Sequence, residues 1–368
     1  MTTENTTRDV ITRAVRPSED TEGILSKASE CRGLDRNEIE ALVSLKDGRD
    51  IERLFETAQE VRDRMFGNRI SVYGFVYFST HCRNSCAFCY YRQTNTGLPR
   101  YRKTREEVVS LSCDLEDAGV NLVDLTMGED PVMYADGYAG LIDMISSVNE
   151  AVDVAIMASP GALPPEVFPR IREAGADWYA CYQETHNREL FQRMRLDQDY
   201  DFRLSQKAWA RSAGLLTEEG MLTGIGDTAK DRADSILEMG ELGCQQIRAM
   251  TFVPQCGTPM QDRRPTDSLS ERMAMAVMRL AYPDRLIPAS LDVEGTDGLA
   301  SRIDAGANII TSIVPPHLNL AGVAQHDLDI DNGHRSVQHI IEMLDGMGRK
   351  VSTNNEYKSM IEARRPKA

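Results

Sequence analysis

The chain has 368 residues, 41% of them apolar, which is enough for a substantial core and, though long for one ordinary domain, normal for an α/β barrel. Its 57 Asp and Glu against 42 Lys and Arg leave a net charge of −15, so a nucleic-acid partner held by bulk charge is excluded. No apolar run reaches the roughly 18 residues of a membrane span. The polar start MTTENTTRDV lacks the basic and apolar stretches of a secretion signal, so a cytoplasmic protein without membrane contact is expected.

Residues 1–34 are polar and weakly patterned; they read as a loose N-terminal arm with room for a short helix. Residues 35–368 read as a single domain. Asp35 and Glu38 form a capping-box pattern ahead of IEALVSL. A second helix is expected over 48–66, where Ile51, Leu54, Phe55, Ala58 and Val61 fall on one stripe.

From residue 70 the pattern alternates. Strand-like runs occupy 70–79, 121–128, 152–159, 177–184, 220–226, 244–253, 285–293 and 308–315. Helical patterns lie between them, near 104–118, 136–150, 164–174, 200–213, 229–242, 268–282 and 295–305, and a closing helix follows near 333–346. Strands separated by helices argue for a parallel sheet, and eight such units for an α/β fold of the (β/α)8 TIM-type barrel class with an N-terminal helical extension. An open doubly wound sheet is the structural alternative. In a barrel of this kind the chemistry sits at the C-terminal ends of the strands.

Eight cysteines are present, and three crowd into the segment Ser79-Thr80-His81-Cys82-Arg83-Asn84-Ser85-Cys86-Ala87-Phe88-Cys89-Tyr90-Tyr91, directly after the first strand. The other five (Cys31, Cys113, Cys181, Cys244, Cys256) are scattered and read as small buried apolar residues rather than a disulfide scaffold. The C-x3-C-x2-C spacing lets one loop place three thiolates around a soft centre, either zinc or an iron–sulfur cluster. A structural zinc site wants four closed ligands, usually two separated pairs, and no second pair follows here. His81 is a poor fourth ligand, because adjacent side chains on an extended strand point oppositely. Three ligands on a four-iron cluster leave one iron open.

The segment resembles the motif of the radical S-adenosylmethionine superfamily, including the aromatic Phe88 before the last cysteine. That resemblance implies a [4Fe-4S] cluster on Cys82, Cys86 and Cys89. Its open iron would chelate the amino and carboxylate groups of S-adenosylmethionine, and electron transfer from an unidentified reductant would release a 5′-deoxyadenosyl radical. Met127-Gly128-Glu129-Asp130-Pro131 stands where the superfamily carries a Gly-Gly-Glu-like segment, with Met as a departure, so Gly128, Glu129 and Asp130 are implied cofactor residues alongside Phe88. Glu184 and Arg203 look like the Glu and Arg that contact the cofactor in the biotin-synthase and hydrogenase-maturase branch. Ser159 would offer a hydroxyl near the ribose, and Gly224-Ile225-Gly226-Asp227 resembles the adenine-site segment.

Asp124, Arg248, Ser290 and Asp292 interrupt apolar strand runs near their C-terminal ends, and Ser290 and Asp292 would share a strand face. Buried charges must be paired. Either these residues hold a zwitterion bearing an extra amine, or they form an ion-pair network bracing the barrel; spacing alone leaves both open. YFSTHCRNSCAFCYYR, DLTMGEDP, IPASLDVEG and DAGANIITSIVPP are similar to segments of the methylornithine synthases of pyrrolysine biosynthesis, a resemblance running from about residue 35 to the end. It implies that L-lysine is isomerised to (3R)-3-methyl-D-ornithine, by hydrogen abstraction, Cα–Cβ fragmentation and recombination, with Asp124, Arg248, Ser290 and Asp292 contacting the amino acid. The alternatives are a maturase-like or biotin-synthase-like enzyme of the same branch, and a non-catalytic zinc- or iron–sulfur-binding protein. The third strand, VDVAIMAS, has no cysteine for a second cluster of the biotin-synthase type.

Anaerobically prepared protein is expected to be brown, with about four irons per chain. Serine at Cys82, Cys86 or Cys89 should abolish iron binding and activity together, whereas Cys113→Ser and Cys244→Ser should leave iron content intact. Stoichiometric zinc without iron would favour the binding protein.

Overall fold

A computed structural model describes residues 17–314 and 335–366. Eight parallel strands form its centre: β1 (Arg69–Ser79), β2 (Leu122–Met127), β3 (Ala155–Ser159), β4 (Trp178–Ala180), β5 (Leu216–Thr223), β6 (Gln246–Thr251), β7 (Pro288–Ser290) and β8 (Ile309–Ile313). They are ordered β6-β5-β4-β3-β2-β1-β8-β7. The two edges meet where the Ile247 N–H donates to the Leu286 carbonyl and the Leu286 N–H to the Gln245 carbonyl, each at 3.0 Å. The sheet is thus a nearly closed barrel of the TIM type, as the alternation predicts.

The surrounding helices are α1 (Pro17–Ser29), α2 (Arg36–Val43), α3 (Gly48–Phe66), α4 (Arg105–Ala118), α5 (Pro131–Ala151), α6 (Val167–Glu173), α7 (Arg188–Met194), α8 (Tyr200–Ser212), α9 (Ala229–Glu241), α10 (Leu269–Ala281), α11 (Leu291–Glu294), α12 (Leu299–Asp304), α13 (Val337–Gly346) and α14 (Asn354–Glu362). The Asp35/Glu38 capping box forms reciprocally at the start of α2, and α3 has the expected bounds. Among the described residues, no helix is long and apolar enough to cross a membrane.

Several local expectations are corrected. Within the supposedly loose arm, α1 buries Ile24, Leu25 and Ala28; residues 1–16 lie outside the described part. β5 begins at Leu216, not 220, because Glu218 and Glu219 are fully buried in it and ion-paired, a state hydropathy does not reveal. β7 stops at Ser290, whose hydroxyl caps α11 by accepting from the Asp292 N–H at 3.3 Å. Ser290 and Asp292 therefore do not share a strand face. The backbone of α5 breaks at Ala135–Tyr138, where Asp136, Gly137 and Tyr138 all take positive φ. Of the five scattered cysteines, Cys181 and Cys244 are buried as expected, Cys31 and Cys113 are half-buried, and Cys256 is exposed. The start expected for the closing helix, 333–334, lies outside the described residues; α13 itself begins at Val337.

The N-terminal mouth of the barrel is plugged from the end of the chain. A two-residue strand, β9 (Lys350–Val351), pairs with β1 in parallel. Next, α14 inserts Tyr357, whose hydroxyl lies 2.7 Å from that of Tyr73, with the rings edge-on at 5.6 Å. Tyr73 also donates to Gln246 Oε1 at 3.0 Å. Tyr357→Ala should therefore cost about 3–5 kcal/mol. A lowered denaturant midpoint with undiminished iron in the folded protein would check that this end serves stability alone.

Candidate active site

A cavity of about 210 Å³ opens at the C-terminal ends of the strands. Its wall includes Cys82, Cys86 and Cys89, then Phe88, Gly128, Glu129, Ser159, Glu184 and Arg203, and on the far side Asp124, Arg248 and Asp292. Of the residues singled out in the sequence, Asp130 and Ser290 stand behind the wall. Asp130 caps α5 and accepts from Arg102 at 2.6 and 2.8 Å and from Ser79 at 2.6 Å. Ser290 touches the Ser312 hydroxyl at 3.3 Å, and Ser312 donates to Asp292 at 2.7 Å.

The cysteine loop leaves the end of β1 and is tied down by Arg100. That guanidinium donates to the carbonyls of Tyr91 (2.9 Å), Arg92 (2.5 Å), Asn95 (3.2 Å) and Thr80. The loop also leans on the β2–α5 turn, where the Arg83 N–H reaches the Glu129 carbonyl at 3.0 Å. Gly128 makes this contact possible, since a Cβ there would lie 2.3 Å from the His81 carbonyl oxygen. Gly161 does the same for Glu129: at φ +88 its hydrogen faces the glutamate, and a Cβ would lie 2.2 Å from Cγ.

The three thiols face one another electrostatically. Burial pushes Cys82 up to about 11, with Cys86 adding to the shift and the Asn84 N–H opposing it. Burial and the adjacent Cys86 and Cys82 push Cys89 further up. Such a set resists carrying three negative charges and fits a cationic iron core that supplies the compensating charge. Hydrogen-bond donors already point at the sulfurs: Asn84 N–H to Cys82 at 3.4 Å, Gln198 Nε2 to Cys86 at 3.0 Å and Arg195 Nη1 to Cys86 at 3.5 Å. Among the described residues, no three His, Cys, Asp or Glu side chains converge on a single-ion site; the thiols ring a shared cavity.

Glu129 opposes the cluster loop. Burial raises its pKa, but Arg203, the Ala162 N–H and Arg83 outweigh that and hold it below the usual range. Arg203 is only 6% exposed and reaches Glu129 at 3.2 Å and the Tyr182 carbonyl at 2.7 Å; it is no solvated helix residue. Glu184 takes a left-handed φ of +69 and pairs with Arg195 at 2.6 Å, while its Oε2 is buried without a hydrogen-bond partner. Asp227 turns inward on its own loop, accepting from the Gly224 and Ile225 N–H groups at 2.7 and 3.1 Å.

On the far side, Arg248 donates through Nε to Glu218 at 2.7 Å, and its Nη2 is buried without a partner. Glu218 also accepts from the Tyr182 hydroxyl at 2.9 Å. Burial works against the Arg248 charge, but Glu218, Tyr182 and Asp124 outweigh it and raise its pKa. Asp124 is pushed up to about 7, chiefly by burial and also by Glu218, against the lowering effect of a 2.6 Å bond from Ser159. Asp292 pairs with Arg335 at 2.7 Å. Glu218 and Arg335 escape a sequence reading. The doublet Glu218-Glu219 inside a strand-like stretch was the one available signal, and nothing near Arg335 distinguishes it. Of the two readings of these charges, the ion pairs that brace the wall are present, in Arg248 with Glu218 and Asp292 with Arg335, and Asp124, Arg248 and Asp292 also line the cavity.

The sequence profile of the Radical SAM superfamily matches residues 76–239. The 3-methylornithine synthase of Methanosarcina barkeri is 40% identical over 325 residues, covering 88% of this chain and 92% of that protein. The same enzyme of Methanosarcina acetivorans is 38% identical, covering 94% of this chain and 98% of that one. The crystal structure of methylornithine synthase (PylB) superposes with a TM-score of 0.87 at 40% identity, covering 92% of this chain and 99% of that one. The chain thus belongs to the methylornithine synthase family of radical S-adenosylmethionine enzymes, isomerases that work with a [4Fe-4S] cluster and S-adenosylmethionine.

Proposed function

We propose that this chain isomerises L-lysine to (3R)-3-methyl-D-ornithine, the first step of pyrrolysine biosynthesis, in the cytoplasm and with electrons from a separate reductant. The observation that carries this reading is that Arg248, whose Nη2 is buried without a hydrogen-bond partner, lines one cavity together with the cysteine loop and two carboxylates, Asp124 and Asp292. When bound, the cluster and S-adenosylmethionine supply a radical that abstracts hydrogen from the substrate.

The protein's own residues divide the remaining tasks. Cys82, Cys86 and Cys89 hold the cluster. Gly128 and Glu129, supported by Asp130 from behind, would hold the cofactor's amino group. Glu184 and Arg203, with Phe88 and Ser159 at the wall, bind the rest of the cofactor. Arg248, braced by Glu218, clamps the substrate carboxylate in the fork geometry that guanidinium favours. Asp124 and Asp292 take the two ammonium groups, and Ser290 supports Asp292 through Ser312. Holding both ends of the chain keeps the fragments of a broken Cα–Cβ bond within recombination distance, where about 1 Å of misplacement costs roughly a hundredfold. An apolar cluster of Ala87, Leu222, Ile225 and Phe252, with Phe88 packed against it, screens the loop from water.

Reduced, reconstituted enzyme incubated with isotopically labelled L-lysine should form an isomeric amino acid of unchanged mass; labelled lysine recovered unaltered beside cleaved cofactor would overturn the assignment. Asp124 adds a pH signature. An ammonium binds its ionised form, so kcat/KM for lysine should rise with pH through about 7 and level off above. Asp124→Asn should remove that step and lower kcat/KM about 10- to 100-fold.

A further inference from the structure

The loop between α7 and α8 places an uncharged side chain in the middle of the most charged part of the site. Gln198 donates through Nε2 to the Cys86 sulfur at 3.0 Å. Its Oε1 accepts from Arg195 Nη1 at 3.5 Å and from Arg203 Nη1 at 3.3 Å. The direction of this amide is set by its surroundings: two guanidinium groups require the oxygen on their side, and the NH2 is left to face the sulfur. The backbone holds it there as well. Asp197 takes a left-handed φ of +60, the Gln198 N–H bonds to the Arg195 carbonyl at 3.2 Å, and Asp199 caps α8 immediately afterwards. Cys86 is a buried residue, and Arg195 adds a second donor to its sulfur at 3.5 Å.

We propose that Gln198 is a positioning residue that sets the reduction potential of the cluster by donating a hydrogen bond to the Cys86 thiolate, with its orientation locked by the two arginines that also hold Glu184 and Glu129. This rests on the assignment of the cluster to Cys82, Cys86 and Cys89. A donor at a ligand sulfur stabilises the reduced cluster, which carries one more negative charge, over the oxidised one, and so raises the potential. The arrangement also couples the two halves of the site. The same amide joins the cluster ligand to Arg203, which reaches Glu129, and to Arg195, which reaches Glu184, so a change in those ion pairs on cofactor binding acts on the sulfur through one rigid group.

Two variants of the anaerobically reconstituted full chain test this by potentiometric titration of the cluster, followed by electron paramagnetic resonance of the reduced state. Gln198→Leu removes the donor while filling similar volume. Gln198→Glu is isosteric, removes the donor and places a negative charge beside the sulfur. With about four irons per chain retained, both midpoints should move to lower potential, in the order wild type, then Leu, then Glu. At the wild-type midpoint the reduced-to-oxidised ratio of the Leu variant should fall about tenfold, the size of one charge-assisted hydrogen bond. If the Leu variant does not assemble, the isosteric Glu variant decides. Midpoints unchanged from wild type at full iron content would overturn the inference, as would iron loss in both variants, which would make Gln198 a holder of the cluster. Wild-type protein that takes up no iron would overturn the cluster assignment itself, and that result is distinguishable from an unmoved potential.

Discussion

The site depends on keeping charge buried at the rim of an apolar barrel. Four ion pairs meet there: Glu129 with Arg203, Glu184 with Arg195, Glu218 with Arg248, and Asp292 with Arg335. In each pair both side chains are less than 10% exposed. Removing one partner from a pair of this kind typically costs about 3–5 kcal/mol, because the other charge is left buried and uncompensated. The pairs are therefore constraints as much as contacts. They hold each group at one place and leave two atoms of these pairs, Arg248 Nη2 and Glu184 Oε2, buried without a partner.

That constraint explains the loops around it. The cysteine loop carries no regular secondary structure, yet it must present three sulfurs to one body. Arg100 satisfies four of its carbonyls, and Gly128 lets the next βα turn press against it. The thiols and the carboxylates face each other across a narrow space, and their opposed demands are met by the cations between them. Asp124 lies at the margin of this balance. Its bond from Ser159 and the charge of Arg248 stabilise the carboxylate, while burial and Glu218 oppose ionisation, so it stands poised near neutrality. An ammonium group beside it would favour the charged form.

The barrel's two ends do different jobs, as the fold requires. At the N-terminal mouth Tyr357, Tyr73 and Gln246 form a hydrogen-bonded chain from three distant parts of the sequence. At the other mouth, ion pairs of comparable burial enclose a cavity. The contrast lies in what each end gathers: neutral hydroxyl and amide groups at the plug, and paired charges around a cavity at the rim.

Much was legible in the sequence because it is local. The period of apolar residues marks eight strands and their helices, the Asp35 capping box marks α2, and the C-x3-C-x2-C spacing marks the cluster loop, since each depends only on residues a few positions apart. The strand ends were less legible. β5 contains two fully buried glutamates that polarity assigns to a loop, and β7 turns into a helix within three residues, so the argument that Ser290 and Asp292 share a face failed even though both reach the same network through Ser312. The chain by itself thus determined the fold class, the family and which residue types gather at the strand ends. Only the tertiary structure decided that Arg248 is braced by Glu218, that Arg335 reaches Asp292 and that Gln198 faces Cys86, because each joins side chains 30 to 112 positions apart, and a pairing across that distance leaves no periodic trace in sequence.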